Sequence, residues 1–155
     1  MNLIQAATEA EIQMARELFE EYAVGIGISL CFQNFDQELA DLPGKYEAPD
    51  GRLLLAYSDD RLAGCIALRK LDSRSCEMKR LFLRNDFRGQ GLGRALVQAI
   101  IDEAKGIGYE RMRLDTLPGR MDSAISLYRR FGFQEIAPYY ENPVEGALFM
   151  ELTLT

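Results

Sequence analysis

The chain has 155 residues, a net charge of −6 and 27% charged residues, the balance of a single globular domain over 1–155. That acidity does not suit a nucleic-acid binder, no apolar run reaches the roughly 18 residues of a membrane span, and the opening "MNLIQAATEAEIQ" lacks the basic, apolar make-up of a signal peptide, so a cytoplasmic protein is expected. Histidine is absent, which rules out a Ser-His-Asp triad and imidazole-bound metal.

Residues 2–7 read as a short strand. Thr8 with Glu11 forms a capping-box start to a helix carrying Ile12, Ala15, Phe19 and Tyr22 at helical spacing, which "GIGI" at 25–28 stops. A second helix is expected over 32–46, ended by Pro43 and Gly44, with a loop at 47–51. Strands at 52–58 and 61–71 flank "DD", a tight hairpin, and 76–83 adds a third strand after the turn "DSRS". A glycine cluster follows, then a helix to about residue 107 with Leu92, Leu96, Ala99, Ile100, Ala104 and Ile107 on its apolar stripe. A strand at 109–116, a helix at 120–131 ended by Gly132, and strands "FQEIAP" and "ALFMELTL" around the loop "YYENPVEG" complete the chain. This order predicts an α+β fold: a single mixed, mostly antiparallel sheet flanked by helices, with one parallel step around the glycine cluster. Cys31, Cys65 and Cys76 form no CxxC pair, so they read as small buried hydrophobes and no metal site is expected.

The stretch "RNDFRGQGLGRALV" places Gly89, Gly91 and Gly93 where a helix begins. Unpaired N–H groups and the helix dipole make such a start an anion site, and the flanking Arg88 and Arg94 add formal charge. A Walker loop is excluded, since no Lys-Ser or Lys-Thr follows the glycines. The G-x-G-x-x-G dinucleotide fingerprint fails in both registers, at Arg94 from Gly89 and at Leu96 from Gly91.

What fits is R-G-x-G-x-G: Arg88, Gly89, Gln90, Gly91, Leu92, Gly93, with Arg94 behind. Together with "AISLYRRFGF" at 124–133 and the meander before the loop, this resembles the GNAT superfamily of N-acetyltransferases across roughly residues 52–137. The resemblance implies acetyl-CoA as co-substrate, its pyrophosphate held by the glycine loop. It also implies strands that splay beside the loop, with the pantetheine arm bonded to the main chain of Leu81 and Leu83. It implies direct acetyl transfer to an amine, with Tyr128, the tyrosine of the family's L-Y-x-x-x-G-F motif, as general acid and Glu77, on the strand before the loop, as general base. Asp115 is read as structural. One departure from the family pattern is Met121, where many members carry an asparagine that contacts coenzyme A; Ser123 or Ser126 is the substitute.

The acceptor is expected to be a small-molecule or peptide amine, with Glu38, Asp41, Tyr139, Tyr140 and Glu141 as candidate ammonium contacts. No nucleic-acid or membrane partner is expected, and homodimers are common among such proteins. A non-catalytic CoA-binding sensor, or a transferase of longer acyl groups, are the alternatives.

Overall fold

A computed structural model describes residues 1–27, 29, 30 and 34–154. Strand β1 (Asn2–Gln5) is followed by helix α1 (Glu9–Ile26), whose start has the expected capping box: Glu11 N donates to Thr8 Oγ1 at 3.2 Å and Thr8 N donates to Glu11 Oε1 at 3.0 Å. Helix α1 runs through Gly25 and ends at Gly27, which takes the left-handed conformation. Helix α2 (Phe35–Asp41) is shorter than expected, because Pro43 cannot continue it, and a 3-10 turn at Gly44–Tyr46 takes up the rest. The expected first residues of that helix, 32 and 33, and Cys31 lie outside the described residues. Cys65 and Cys76 are free and buried, as expected.

Strands β2 (Arg52–Ser58) and β3 (Arg61–Lys70) form a hairpin on Asp59 and Asp60, with φ of 50° and 63°. Paired positive φ is the signature of the tight turn that matches strand twist. Strand β4 (Ser75–Leu83) completes the meander. Next come helix α3 (Leu92–Ile107), strand β5 (Arg111–Thr116), helix α4 (Asp122–Phe131), the short strand β6 (Gln134–Ile136) and strand β7 (Leu148–Thr153). The strand expected from residue 109 starts at Arg111, since Tyr109 is buried and donates to Asp50 O at 2.7 Å.

The sheet has seven strands in the order β1-β2-β3-β4-β5-β7-β6. Every pairing is antiparallel except β4–β5, the expected parallel step, and α3 supplies the crossover it needs. Helices α1 and α2 cover one face through Ala15, Leu18, Phe19 and Phe35 on Leu53, Leu55, Cys65 and Ala67. Helices α3 and α4 cover the other, where Leu96, Val97, Ile100 and Tyr128 meet Ile66, Leu68, Met112 and Leu114. Each fully buried aliphatic side chain there contributes about 1.5–3 kcal/mol.

One irregularity sets up the site. The β4–β5 ladder pairs Ser75, Cys76 and Glu77 with Arg111, Met112 and Arg113, and ends there. On the other edge, β3 pairs Cys65 with Phe82 and Ala67 with Lys79, so Arg80 and Leu81 together oppose Ile66. This is a bulge, and Arg80 carries its cost with φ of 61°. Gly64 draws the two strands together, because a Cβ there would lie 2.1 Å from Phe82 O. Past Glu77, β4 therefore bends with β3 while β5 stays with β7 out to Thr116↔Leu148. The two parallel strands splay, as the family resemblance implies.

Candidate functional site

The splay opens a cleft of about 1390 Å³ at the carboxyl ends of β4 and β5. Such crevices are where open α/β sheets bind ligands. Its walls come from β4, the glycine loop, the first turns of α4 and the inner side of α1.

At one end stands the start of α3. Gly91 is its N-cap, with φ of 81°, and no side chain caps the helix and no acid occupies its first turn. Helix α1 satisfies its own first N–H groups with Thr8, whereas α3 leaves its groups open to the cleft. Gly91 and Gly93 both line the cleft. A Cβ on Gly93 would make only ordinary contacts, 3.7 Å from Leu83 and Leu127, so the fold itself does not require glycine there. A ligand packed against that backbone would require it. Arg88 lines the cleft, donates from Nε to Leu83 O at 2.9 Å and has no carboxylate partner among the described residues. These features fit a pyrophosphate.

Along the cleft runs the free edge of β4. Arg84 N donates to Ala63 O, toward β3. Alternation along the strand then turns the N–H and C=O of Leu83 and Leu81 to the cleft side, where the resemblance puts the pantetheine arm. Gln90 turns its side chain back to Asp86 O, and Arg94 is exposed; neither lines the cleft. Of the two serines that stand in for an asparagine at Met121, Ser123 lines the cleft and Ser126 does not.

Tyr128 reaches the cleft from α4, its ring buried against Phe133 at 5.6 Å. Burial, then the neighbouring Tyr22 and Asp115, push its phenol well above the usual tyrosine range. It therefore carries its proton at neutral pH, the state a general acid needs.

Glu77, expected as the base, is fully buried and does not line the cleft. Arg69 Nε donates to its Oε1 at 2.7 Å, Lys79 Nζ stands 3.7 Å from the same oxygen, and Tyr139 OH donates to Oε2 at 2.5 Å. Burial works to raise its pKa, but the charges of Lys79 and Arg69 outweigh it and hold the carboxyl below the usual range. A carboxylate so stabilised is a poor proton acceptor.

The other end of the cleft holds Tyr22, Lys79, Arg80, Asp115 and Asn142. Arg80 grips Glu38 of α2 through two bonds of 3.0 and 2.9 Å, and lies over the rings of Tyr22 and Phe35. Arg84 likewise holds Glu21 of α1 at 3.0 and 2.7 Å. Of the candidate ammonium contacts, Glu38 is thus committed to Arg80, and Asp41 accepts from Gln37 at 2.8 Å. Tyr139 and Tyr140 roof the sheet over Phe149, while Glu141 lies by a separate small hollow. Sequence reasoning missed the Arg80–Glu38 and Arg84–Glu21 clamps, since nothing local in the chain marks residues 42 or 63 positions apart as partners.

A family model described as the acetyltransferase (GNAT) family matches residues 12–133. An uncharacterised N-acetyltransferase of Schizosaccharomyces pombe is 41% identical over 140 residues, covering 89% of this chain and 85% of its own. Another, of Dictyostelium discoideum, is 34% identical over 206 residues, covering 93% and 95%. An acetyltransferase of Salmonella typhimurium, solved with its cofactor acetyl-CoA, shares the fold: TM-score 0.70 over 100% of this chain and 94% of that one, at 19% identity. With relatives this similar along nearly their whole length, and the splayed strands where the motif led us to expect them, the chain belongs to the acetyltransferase (GNAT) family.

Proposed function

We propose that this N-acetyltransferase moves an acetyl group from acetyl-CoA directly to a primary amine of a small molecule or peptide, in the cytoplasm. The observation that carries this reading is one continuous cleft. It joins an uncapped helix start, a free strand edge, a protonated buried tyrosine and a polar chamber.

Acetyl-CoA supplies an activated thioester. The N–H groups at the start of α3, with Arg88, hold its pyrophosphate, and the edge of β4 at Leu81 and Leu83 aligns its arm. A β4 N–H directed at the thioester carbonyl stabilises charge on that oxygen. Tyr128 gives its phenolic proton to the departing sulfur and takes one back, through water in the cleft, from the newly acylated amine. Glu77 serves as a positioning group: its carboxylate holds Lys79, which lines the cleft, and accepts from Tyr139, and the amine's other proton leaves to water in the cleft.

Thiol release measured with acetyl-CoA and a panel of primary amines tests the reading. Turnover with at least one amine is expected, and absence of acetyl-CoA binding by calorimetry at millimolar concentration overturns it. The cradle has its own test. Gly93→Ala should leave the fold intact, or stabilise it by up to about 1 kcal/mol, since alanine favours helix. The added methyl holds the pyrophosphate off the backbone, so CoA affinity should fall roughly 10- to 100-fold, the loss of one charge-assisted hydrogen bond. Equal CoA affinity for variant and parent, by titration calorimetry, removes Gly93 from the cradle.

A further inference from the structure

Asp115 stands at the end of β5, half-buried, with its side chain on the cleft. Its Oδ2 accepts a short bond from Tyr140 OH and another from Asn142 Nδ2 at 3.0 Å. Asn142 is itself fixed, because its Oδ1 accepts from Val144 N at 2.9 Å. Tyr140 is braced on Phe149 and Tyr139, at 5.3 and 5.6 Å between ring centroids. The loop between β6 and β7 thus holds this carboxylate in one orientation with neutral donors.

The neighbouring acids are neutralised differently. Glu77 has Arg69 and Lys79, Glu38 has Arg80, Glu21 has Arg84 and Glu151 has Arg113. No lysine or arginine among the described residues lies within 4.0 Å of Asp115. The remaining acids on the cleft, Glu17, Glu20 and Asp122, are exposed at its mouth or rim. Asp115 is therefore the inner acid of the cleft with no cation in contact among the described residues, Lys79 acting on it only from longer range, and a half-buried carboxylate in that state favours a cation beside it. Its surroundings are suited to one. Tyr22 and Tyr128 line the same cleft, and the charge of Asp115 is felt at both phenols. Tyr128 is also the residue that serves the departing sulfur, so a cation held at Asp115 sits next to the transfer point.

We propose that Asp115 is the docking residue for the acceptor, its carboxylate binding the ammonium of an alkyl primary amine, with Tyr140 and Asn142 as its positioning residues. The proposal rests on the acetyltransferase reading above and narrows it. The acceptors are amines that are cationic in solution, and amines uncharged at neutral pH are poor ones. The structural role first read for Asp115 is thereby replaced by recognition.

The experiment compares steady-state kinetics at pH 7.5 for the most active alkylamine of a panel of diamines, amino acids and aminosugars with those for aniline, which is uncharged there. Asp115→Asn keeps the shape and loses the charge. It should raise KM for the alkylamine roughly 10- to 100-fold, the range for hydrogen bonds to charged groups. It should leave the acetyl-CoA Kd unchanged and erase the preference over aniline. Tyr140→Phe should raise the same KM by a smaller factor, again at constant acetyl-CoA affinity. An unchanged alkylamine KM in both variants, with acetyl-CoA binding intact, overturns the docking role and leaves the transferase standing. If Asp115→Asn fails to fold, the Tyr140→Phe result decides alone. Failure of the parent protein to bind acetyl-CoA is the separate outcome that removes the underlying reading.

Discussion

Tyr128→Phe is expected to lower kcat by about 10²- to 10³-fold, within the range a positioned general acid contributes, while the Kd for acetyl-CoA stays the same. The substitution removes one oxygen. The ring keeps its packing on Phe133, and among the described residues the hydroxyl makes no hydrogen bond whose loss would disturb the fold. Stability should therefore hold, and the effect should be on the chemical step alone. Single-turnover thiol release at saturating acetyl-CoA is the measurement. Because burial keeps the phenol protonated through neutral pH, the parent rate should show no loss of this acid as pH rises toward the ordinary tyrosine range. Undiminished turnover in the phenylalanine variant removes Tyr128 from the mechanism and leaves water to protonate the thiolate.

Glu38→Ala should cost about 3–5 kcal/mol, the penalty for leaving one member of a buried pair without its partner. The Arg80 side chain is 2% exposed and its guanidinium has two bonds to Glu38. Without that carboxylate the charge stays trapped between the rings of Tyr22 and Phe35, which compensate only in part. For a chain of this length the change corresponds to a Tm lower by roughly 10 °C, measurable by calorimetry or circular dichroism. The double variant Arg80→Met, Glu38→Leu should recover most of the loss, since an apolar pair of similar volume avoids the desolvation of both charges. If Glu38→Ala melts with the parent, the pair is not what holds α2 on the sheet.

The parts of the fold that were legible in the sequence are those written in local signals. Thr8 and Glu11 specify a helix start within four residues, Asp59 and Asp60 a hairpin, and Gly132 a left-handed helix end. The proposed donor half of the site has a local signal of the same kind: an anion cradle of successive backbone N–H groups needs only a short stretch of chain. The acceptor half was not. The bulge at Arg80 exists because two residues of β4 oppose one of β3, a matter of register between strands that neither strand carries alone. Glu77 looked like a base from its place on β4. Its burial and its two cations come from Arg69 across the hairpin and Lys79 two residues on, with Tyr139 arriving from a loop 62 residues away. Asp115 looked structural because the loop that orients it lies 25 and 27 residues further along. Helix α2, expected over 32–46 with Pro43 and Gly44 as its end, stops at Asp41, and Gly44–Tyr46 forms a separate 3-10 turn.

The proposed donor cradle is made largely of main chain: an uncapped helix start, glycines, and the free edge of β4. Main-chain groups are the same whatever residue carries them, so most substitutions along this wall leave its chemistry unchanged. The opposite wall carries side chains, Asp115, Lys79 and Asn142 among them, and each can be exchanged singly. The cleft therefore separates a part of the enzyme that resists drift from a part that invites it. New acceptors can be acquired by altering the loop between β6 and β7 without relearning how to hold the donor. A laboratory search for altered acceptor preference belongs in that loop, and one for a different donor would have to rebuild the backbone.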